Sequence, residues 1–283
     1  MTKHAHDIES AYQEALVFTK SHYENFPVIS LFLSKKVRKH VAVVYQFARQ
    51  ADDIADEGNL TTDERLRQLN DYQNFLNQSL DGNPPSIYWE ALIKTITEKN
   101  LSTDNFHKLL DAFKQDIVKN RYDTFAEIEN YCSRSANPVG RIILELHGIY
   151  DEEANQFSDS ICTALQLTNF YQDVSIDIQK DRIYIPIEEL KMYDITEEMF
   201  QKKNFNSNFK KLMQHQVERA GKLYDIGGNL LPKLPWNLKR QIAWTIGGGK
   251  AILKKIEENS FDVLNSRPTL SKQDFLKILL GMN

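Results

Sequence analysis

The sequence predicts an all-α fold. Apolar residues recur at helical spacing. Leu109, Ala112, Phe113 and Ile117, with Asp116 in register, follow the i, i+3, i+4 rule, and so do Ile142, Ile143, Leu146 and Ile149. No alternating apolar and polar run of useful length is bounded by an Asn-Gly or Asp-Gly turn, the mark of a hairpin. Helix breakers are scarce, with 11 Gly and 8 Pro in 283 residues, and they cluster. Asp81 to Ser86, Gly227 to Pro235 and Asn265 to Pro268 therefore read as loops. Between such breaks the chain reads as about ten helices, given a mean helix of about 11–12 residues. No repeat, low-complexity tract or composition shift divides it, so residues 1–283 read as one domain. Gly247 to Gly249 lack the preceding strand and the spacing of a nucleotide-binding loop and read as a break between helices.

The net charge is −4, which argues against nucleic acid as a partner, since such domains carry a basic footprint. The first residues, through Leu16, are polar and lack the basic-then-apolar order of a secretory signal. No apolar run approaches the roughly 20 residues that span a bilayer. The two cysteines, Cys132 and Cys162, fit a reducing cytoplasm better than a disulfide framework. A cytoplasmic location is therefore expected.

The sharpest local feature runs from Val41 to Gly58. An apolar stretch ends in Asp52, Asp53, Asp56 and Glu57, and Gly58 offers a C-cap. On a helix, Asp52 stacks with Asp56 and Asp53 with Glu57. Like charges at that spacing cost roughly 0.2–0.5 kcal/mol per pair. Acids near a helix C-terminus also oppose the macrodipole. One reading is a solvated acidic helix end, because charge runs usually face water. The adjoining apolar stretch argues for the other, a bound divalent cation. Mg²⁺ is held by a few carboxylates together with substrate phosphates.

A second stripe lies between Gln166 and Pro186. Asn169, Asp173 and Asp177 fall at i, i+4 and i+8, with Gln166 one turn earlier. Leu167, Phe170, Val174 and Ile178 form the apolar side. Pro186 stops this helix or lies just past its end. One stripe is weak evidence. Two, on separate helices, suit a metal site built from facing helices. Mg²⁺ bridging carboxylates to phosphate oxygens is a Lewis acid. Such a donor set suits release of diphosphate from an allylic or cyclopropylcarbinyl carbon. Arg49 and Arg182 would complete the clamp, and ring faces in a water-poor cavity would stabilise the carbocation.

These residues resemble the squalene and phytoene synthases, from about His22 to Lys272. The family's first motif matches at Tyr45, Arg49, Asp52 and Asp56. Its second matches at Gln166, Asn169, Asp173 and Asp177, followed by Asp181, Arg182, Ile183 and Tyr184. The substrate-binding segment looks like His22 to Phe26, and the middle signature matches at Tyr131, Cys132, Ala136, Val139 and Gly140. The resemblance implies an isoprenoid-synthase helical bundle around a central cavity. It implies Mg²⁺, with Mn²⁺ as a substitute, held by Asp52, Asp56, Asn169, Asp173 and Asp177. It places Tyr45 and Asn137 with those aspartates at the reacting centre. It assigns His22, Asn25, Phe26, Arg49, Tyr131, Gln166, Asn169, Gln172, Arg182 and Tyr184 to the isoprenoid diphosphate.

Glu24 to Val28, Tyr131 to Gly140 and Gln166 to Asp173 look closer to one branch, the bacterial hydroxysqualene synthases. That branch converts presqualene diphosphate and water to hydroxysqualene and diphosphate. A sister enzyme supplies the substrate, and a flavoenzyme later removes the hydroxyl on the way to hopanoids. Two departures from the wider family stand out. Gln172 replaces an Arg, and Ser135-Ala136-Asn137 replaces Val-Ala-Gly. A lost cation at 172 argues against holding two diphosphates at once. Ser135, Asn137 and Gln172 are the candidates for holding water. The alternatives are head-to-head condensation of two farnesyl diphosphates and a non-catalytic assembly protein. No Gly-x-Gly-x-x-Gly follows a strand, so no NADPH requirement is expected.

Other features have two readings each. Lys35 to His40 is basic, and is either a solvated helix face or a contact with an anionic membrane surface. His147 reads as a packed core histidine. Phe26, Tyr45, Tyr131 and Tyr171 are cavity walls or ordinary core. Arg267 and Lys272 are in reach of the diphosphate on this reading.

Overall fold

A computed structural model describes residues 3–22 and 35–281, and all regular secondary structure among them is helical. The helices are α1 (Lys3–His22), α2 (Lys35–Asp56), α3 (Thr62–Leu80), α4 (Ile87–Glu98), α5 (Thr103–Val118), α6 (Phe125–Ser135) and α7 (Asn137–Leu146). They continue as α8 (Glu152–Gln172), α9 (Val174–Asp177), α10 (Ile187–Met192), α11 (Glu197–Gln201), α12 (Ser207–Gly227), α13 (Trp236–Glu258) and α14 (Lys272–Leu280). Short 3₁₀ turns cover Ile178–Lys180 and Gly228–Lys233. The total exceeds the expected ten because several helices are only one or two turns long. The chain divides into two compact units that alternate along the sequence. The first comprises Met1–Val118 and Pro138–Asp151, and the second Lys119–Asn137 and Glu152–Asn283.

In the first unit, α2 is the central helix. Phe47, fully buried, meets the rings of Tyr72 at 5.4 Å, Phe106 at 5.3 Å and Trp89 at 6.1 Å. Edge-on and tilted ring pairs of this kind add about 0.5–1.5 kcal/mol beyond burial. α1 packs on α2 and α4. Its Tyr12 hydroxyl meets Ala91 O at 3.1 Å and Thr95 Oγ1 at 2.9 Å, and His40 Nδ1 reaches the same Thr95 oxygen at 2.9 Å. α3 starts with a capping box, in which Thr61 and Glu64 satisfy each other's backbone N–H groups.

In the second unit, α8 packs against α12 and α13. Tyr171, Tyr224, Phe209 and Leu212 are fully buried there. A polar network crosses this core. Arg219 grips Glu189 through Nη2 at 2.5 Å and Nη1 at 3.2 Å, Gln216 Nε2 donates to the same carboxylate, and the Tyr171 hydroxyl donates to Gln216 Oε1 at 2.9 Å. Residues 120–123 hold the segment 181–188 by backbone hydrogen bonds, Ile183 N to Asn120 O at 3.1 Å and Ile187 N to Tyr122 O at 2.9 Å. Arg121 adds ion pairs to Asp181 and Glu197 at 2.7 and 2.9 Å.

Four local readings change. Gly247 to Gly249 lie inside α13 and are no break. Gly249 is there because the Tyr224 ring leaves no room for a Cβ. The helix carrying Ile142 ends at Leu146, before Ile149, and Gly148 takes the left-handed φ of +75°. The second acidic helix ends at Lys180, six residues before Pro186, and Asp181 adopts φ +55°. Pro186 instead caps the start of α10. Gly227 to Pro235 is partly a 3₁₀ turn.

Candidate active site

The first acidic motif closes α2 as the spacing requires. Arg49, one turn earlier, reaches Asp52 at 3.2 Å, Asp53 at 2.6 Å and Glu57 at 2.5 Å. Gly58 has φ +77° just beyond the helix end. No short pattern points to Arg65, whose guanidinium covers the last turn. It donates to Ile54 O at 2.9 Å, Gly58 O at 2.8 Å and Leu60 O at 3.3 Å. A cation on C-terminal carbonyls offsets the dipole that the acids oppose. Burial, and then the neighbouring Asp56, push the Asp52 carboxyl up to about 6, although Arg49 pulls the other way. Tyr45 is half-buried one turn before Arg49, and its hydroxyl is pushed up mainly by burial.

The second motif is less regular than its spacing. α8 stops at Gln172 and α9 begins at Val174, so the chain bends at Asp173 (φ −101°, ψ 11°). The Asp173 and Asp177 N–H groups still reach Asn169 O and Asp173 O at 2.9 and 2.8 Å, which keeps the three side chains a turn apart. Segment 267–268 lies on this bend. Arg267 Nε donates to Asp173 Oδ1, and its Nη2 stands 3.4 Å from Oδ2. The Gln172 amide donates to Pro268 O at 2.6 Å. Arg267 is thus on a carboxylate of the second acidic motif, a contact across 94 residues that only folding reveals.

The other expected residues fall as follows. Tyr184 stacks on Phe170 with centroids 3.7 Å apart, and both pack near Tyr131 and Tyr122. Tyr122 was missed by the sequence reading. Asn137 is buried, and its Oδ1 accepts from Thr163 Oγ1 at 3.0 Å. The Ser135 hydroxyl is buried with no protein partner. Gln166 is half-buried, Asn169 exposed, and Arg182 half-buried with its N–H on Asp177 O at 2.9 Å. Tyr171 is core, bonded within the Glu189 network. His147 sits on Ile143 O at 2.8 Å, as a packed histidine should. Asn25 and Phe26 lie outside the described residues, as does the side chain of His22. At the basic stretch, Val37 and His40 are buried and Lys39 pairs with Glu9 at 3.3 Å.

Among the described residues, no three His, Cys, Asp or Glu side chains form a ready-made metal cage. That does not conflict with Mg²⁺, which takes one or two carboxylates and completes its shell with water and substrate phosphate. Each motif supplies two carboxylates a turn apart. Burial first, and the neighbouring Asp56 second, raise the Asp52 carboxyl, and Arg49 only partly reverses this. A divalent cation fits that donor set. Among the described residues, no helix is long and apolar enough to cross a membrane.

A helical chain with two aspartate motifs, an aromatic cluster and arginines poised on the carboxylates has the parts of an isoprenoid-diphosphate synthase. The squalene/phytoene synthase family profile matches residues 19–274, and the chain belongs to that family. The crystal structure of squalene synthase HpnC from Alicyclobacillus acidocaldarius is similar, with a TM-score of 0.85, 34% identity, and coverage of 90% of this chain and 95% of that one. A hydroxysqualene synthase from Zymomonas mobilis is 38% identical over 178 residues, 61% of this chain and 58% of that protein. The chloroplastic phytoene synthase of Daucus carota is 27% identical over 271 residues, 94% of this chain and 68% of that protein. The matched segment thus spans just over half the length of the hydroxysqualene synthase. The chain accordingly has the all-α fold of the isoprenoid synthases.

Proposed function

We propose that this protein is a hydroxysqualene synthase, which turns presqualene diphosphate and water into hydroxysqualene and diphosphate. The observation that carries this reading is the higher identity to a hydroxysqualene synthase than to a phytoene synthase. Position 172 supports it, because a neutral amide engaged by Pro268 O adds no charge for a second diphosphate. Asp52, Asp56, Asn169, Asp173 and Asp177 are the ligands for Mg²⁺, or Mn²⁺ in its place. The metal supplies Lewis-acid neutralisation of the leaving diphosphate.

The chain's own groups do the rest. Arg49 and Arg267, each held on a carboxylate, exchange that partner for phosphate oxygens. Arg182, Gln166, Gln172, Tyr45, His22, Asn25 and Phe26 complete the substrate contacts. The carbon–oxygen bond to diphosphate breaks and takes its electron pair with the leaving group. Tyr131, Phe170 and Tyr184 offer ring faces to the carbocation. As the cyclopropane opens, a water oxygen bonds to the cationic carbon, and its proton passes to diphosphate or solvent. The unpartnered Ser135 hydroxyl and the Asn137 amide are suited to hold that water. No hydride enters, so NADPH is not used. The substrate then comes from an enzyme that joins two farnesyl diphosphates, and a reductive enzyme consumes the product.

Mass spectrometry in isotopically labelled water tests the proposal. Presqualene diphosphate should give labelled hydroxysqualene without NADPH, and excess EDTA should stop it. Asp52→Asn or Asp173→Asn should lower turnover by roughly 100-fold or more, the scale of losing one electrostatic stabiliser. Conversion of farnesyl diphosphate by this protein alone would move it to the condensing synthases. Squalene made only with NADPH would make it a reductive enzyme.

A further inference from the structure

Between α13 and α14 the chain forms a strap that crosses the second acidic motif. Ser260 and Phe261 take left-handed φ of +54° and +69° and close α13 by donating to Glu257 O and Ile256 O, both at 2.8 Å. Neither is glycine, and a bulky residue persists in that region only where its surroundings hold it. Val263 and Leu264, fully buried, anchor the strap in the core. Asp262 collars Asn265, accepting from its backbone N–H at 3.1 Å and from its side-chain amide at 3.1 and 2.9 Å. Asn259 spans the turn, its Nδ2 donating to Asp262 O at 2.6 Å and to Ser266 Oγ at 2.8 Å. Arg267 on Asp173 comes next, and then Pro268, buried, whose carbonyl takes the Gln172 amide.

Arg267 is therefore pinned on both sides, at Ser266 by Asn259 and at Pro268 by Gln172. Neither pin touches the guanidinium itself. An exposed ion pair alone holds a long side chain only weakly. With its backbone fixed on either side, the guanidinium has less freedom to lose on pairing. Its hydrogen bond to Asp173 first, and then the charges of Asp173 and Asp177, hold it above its ordinary value against burial. Arg267 thus occupies the carboxylate that a cation would need.

We propose that Asn259 and Gln172 are positioning residues, which pin the strap so that Arg267 neutralises Asp173 until a diphosphate claims the guanidinium. This rests on the reading of Asp173 as a Mg²⁺ ligand and Arg267 as a phosphate contact, and it is independent of the product formed. Gln172 acts here in addition to its place among the substrate contacts. A cation on Asp173 and a diphosphate on Arg267 then favour each other, by the same factor in each direction.

Two binding measurements on the full chain test this. Electron paramagnetic resonance reads the affinity for Mn²⁺ alone. Equilibrium dialysis reads the affinity for labelled inorganic diphosphate in saturating Mg²⁺. Asn259→Ala and Gln172→Met each remove one pin, and Arg267→Gln removes the guanidinium. All three should bind Mn²⁺ alone about fivefold or more tightly than wild type, the scale of a modest coupling between sites. All three should bind diphosphate about tenfold more weakly, the scale of losing a hydrogen bond to a charged group. A variant that merely loosens the fold loses affinity for both ligands, so the opposite signs identify positioning. Far-UV circular dichroism should match wild type throughout. The proposal is overturned if Asn259→Ala and Gln172→Met bind Mn²⁺ as wild type does or more weakly, whatever Arg267→Gln does. Wild type that binds no diphosphate in Mg²⁺ would overturn the underlying reading of the site as well.

Discussion

Two adjacent glycines in α13 should respond oppositely to the same substitution. A Cβ on Gly249 would lie 1.9 Å from Tyr224 Oη, 2.4 Å from Cζ and 3.0 Å from Cε1. Tyr224 cannot retreat easily, because it is fully buried and its hydroxyl is hydrogen-bonded to Thr168 Oγ1 at 3.0 Å. Overpacking of this kind costs about 1–3 kcal/mol. Displacing the hydroxyl loses about 1 kcal/mol more. The gain in helix propensity from Gly to Ala, about 1 kcal/mol, offsets only part of this. Gly249→Ala should therefore destabilise by about 1–3 kcal/mol in sum. A Cβ on Gly248 meets nothing within 4 Å. Gly248→Ala should stabilise by up to about 1 kcal/mol. Urea unfolding followed by far-UV circular dichroism reads both midpoints against wild type. Tyr224→Phe in the Gly249→Ala background should recover part of the loss, since the nearest contact is then gone. If Gly249→Ala proves as stable as Gly248→Ala, the close approach of Tyr224 is not what holds this position at glycine.

Two further outcomes follow from buried charge. Arg219→Met strands the Glu189 carboxylate, 5% exposed, and should cost about 3–5 kcal/mol in urea unfolding. Adding Glu189→Gln should return much of it, and a double variant no better than the single would refute the coupling. His40 is pushed down from 6.5 to about 4, first by burial and then by Lys99 and Lys39. The unfolded chain therefore binds the proton more tightly. Stability is full above about pH 6.5 and falls as the pH drops toward about 4, by as much as ~3 kcal/mol. His40→Gln should flatten that slope in unfolding curves taken across this range, and an unchanged slope would place the acid sensitivity elsewhere.

The family and the helical class were legible because helices are local objects. Asp52 and Asp56, or Asn169 and Asp173, stand a turn apart whenever four residues separate them on a helix, and apolar spacing marks the buried side. The same locality explains the left-handed glycine at 58. What the spacing did not carry was the partner. Arg65 capping Ile54 O and Arg267 on Asp173 join residues that no short pattern links. Gly247 to Gly249 looked like a break because three glycines weaken a helix by propensity, whereas packing against Tyr224 selected glycine at 249 inside one. Likewise, of the apolar residues in α14 only Ile278 is buried. The sequence alone thus determined that the chain is helical, where its carboxylates recur and which family they resemble. Only the tertiary structure decided which arginine meets which acid, where each helix stops and which apolar face stays in water. Those outcomes depend on contacts between segments far apart in the chain, and the energy of such contacts leaves no periodic trace in the residues that make them.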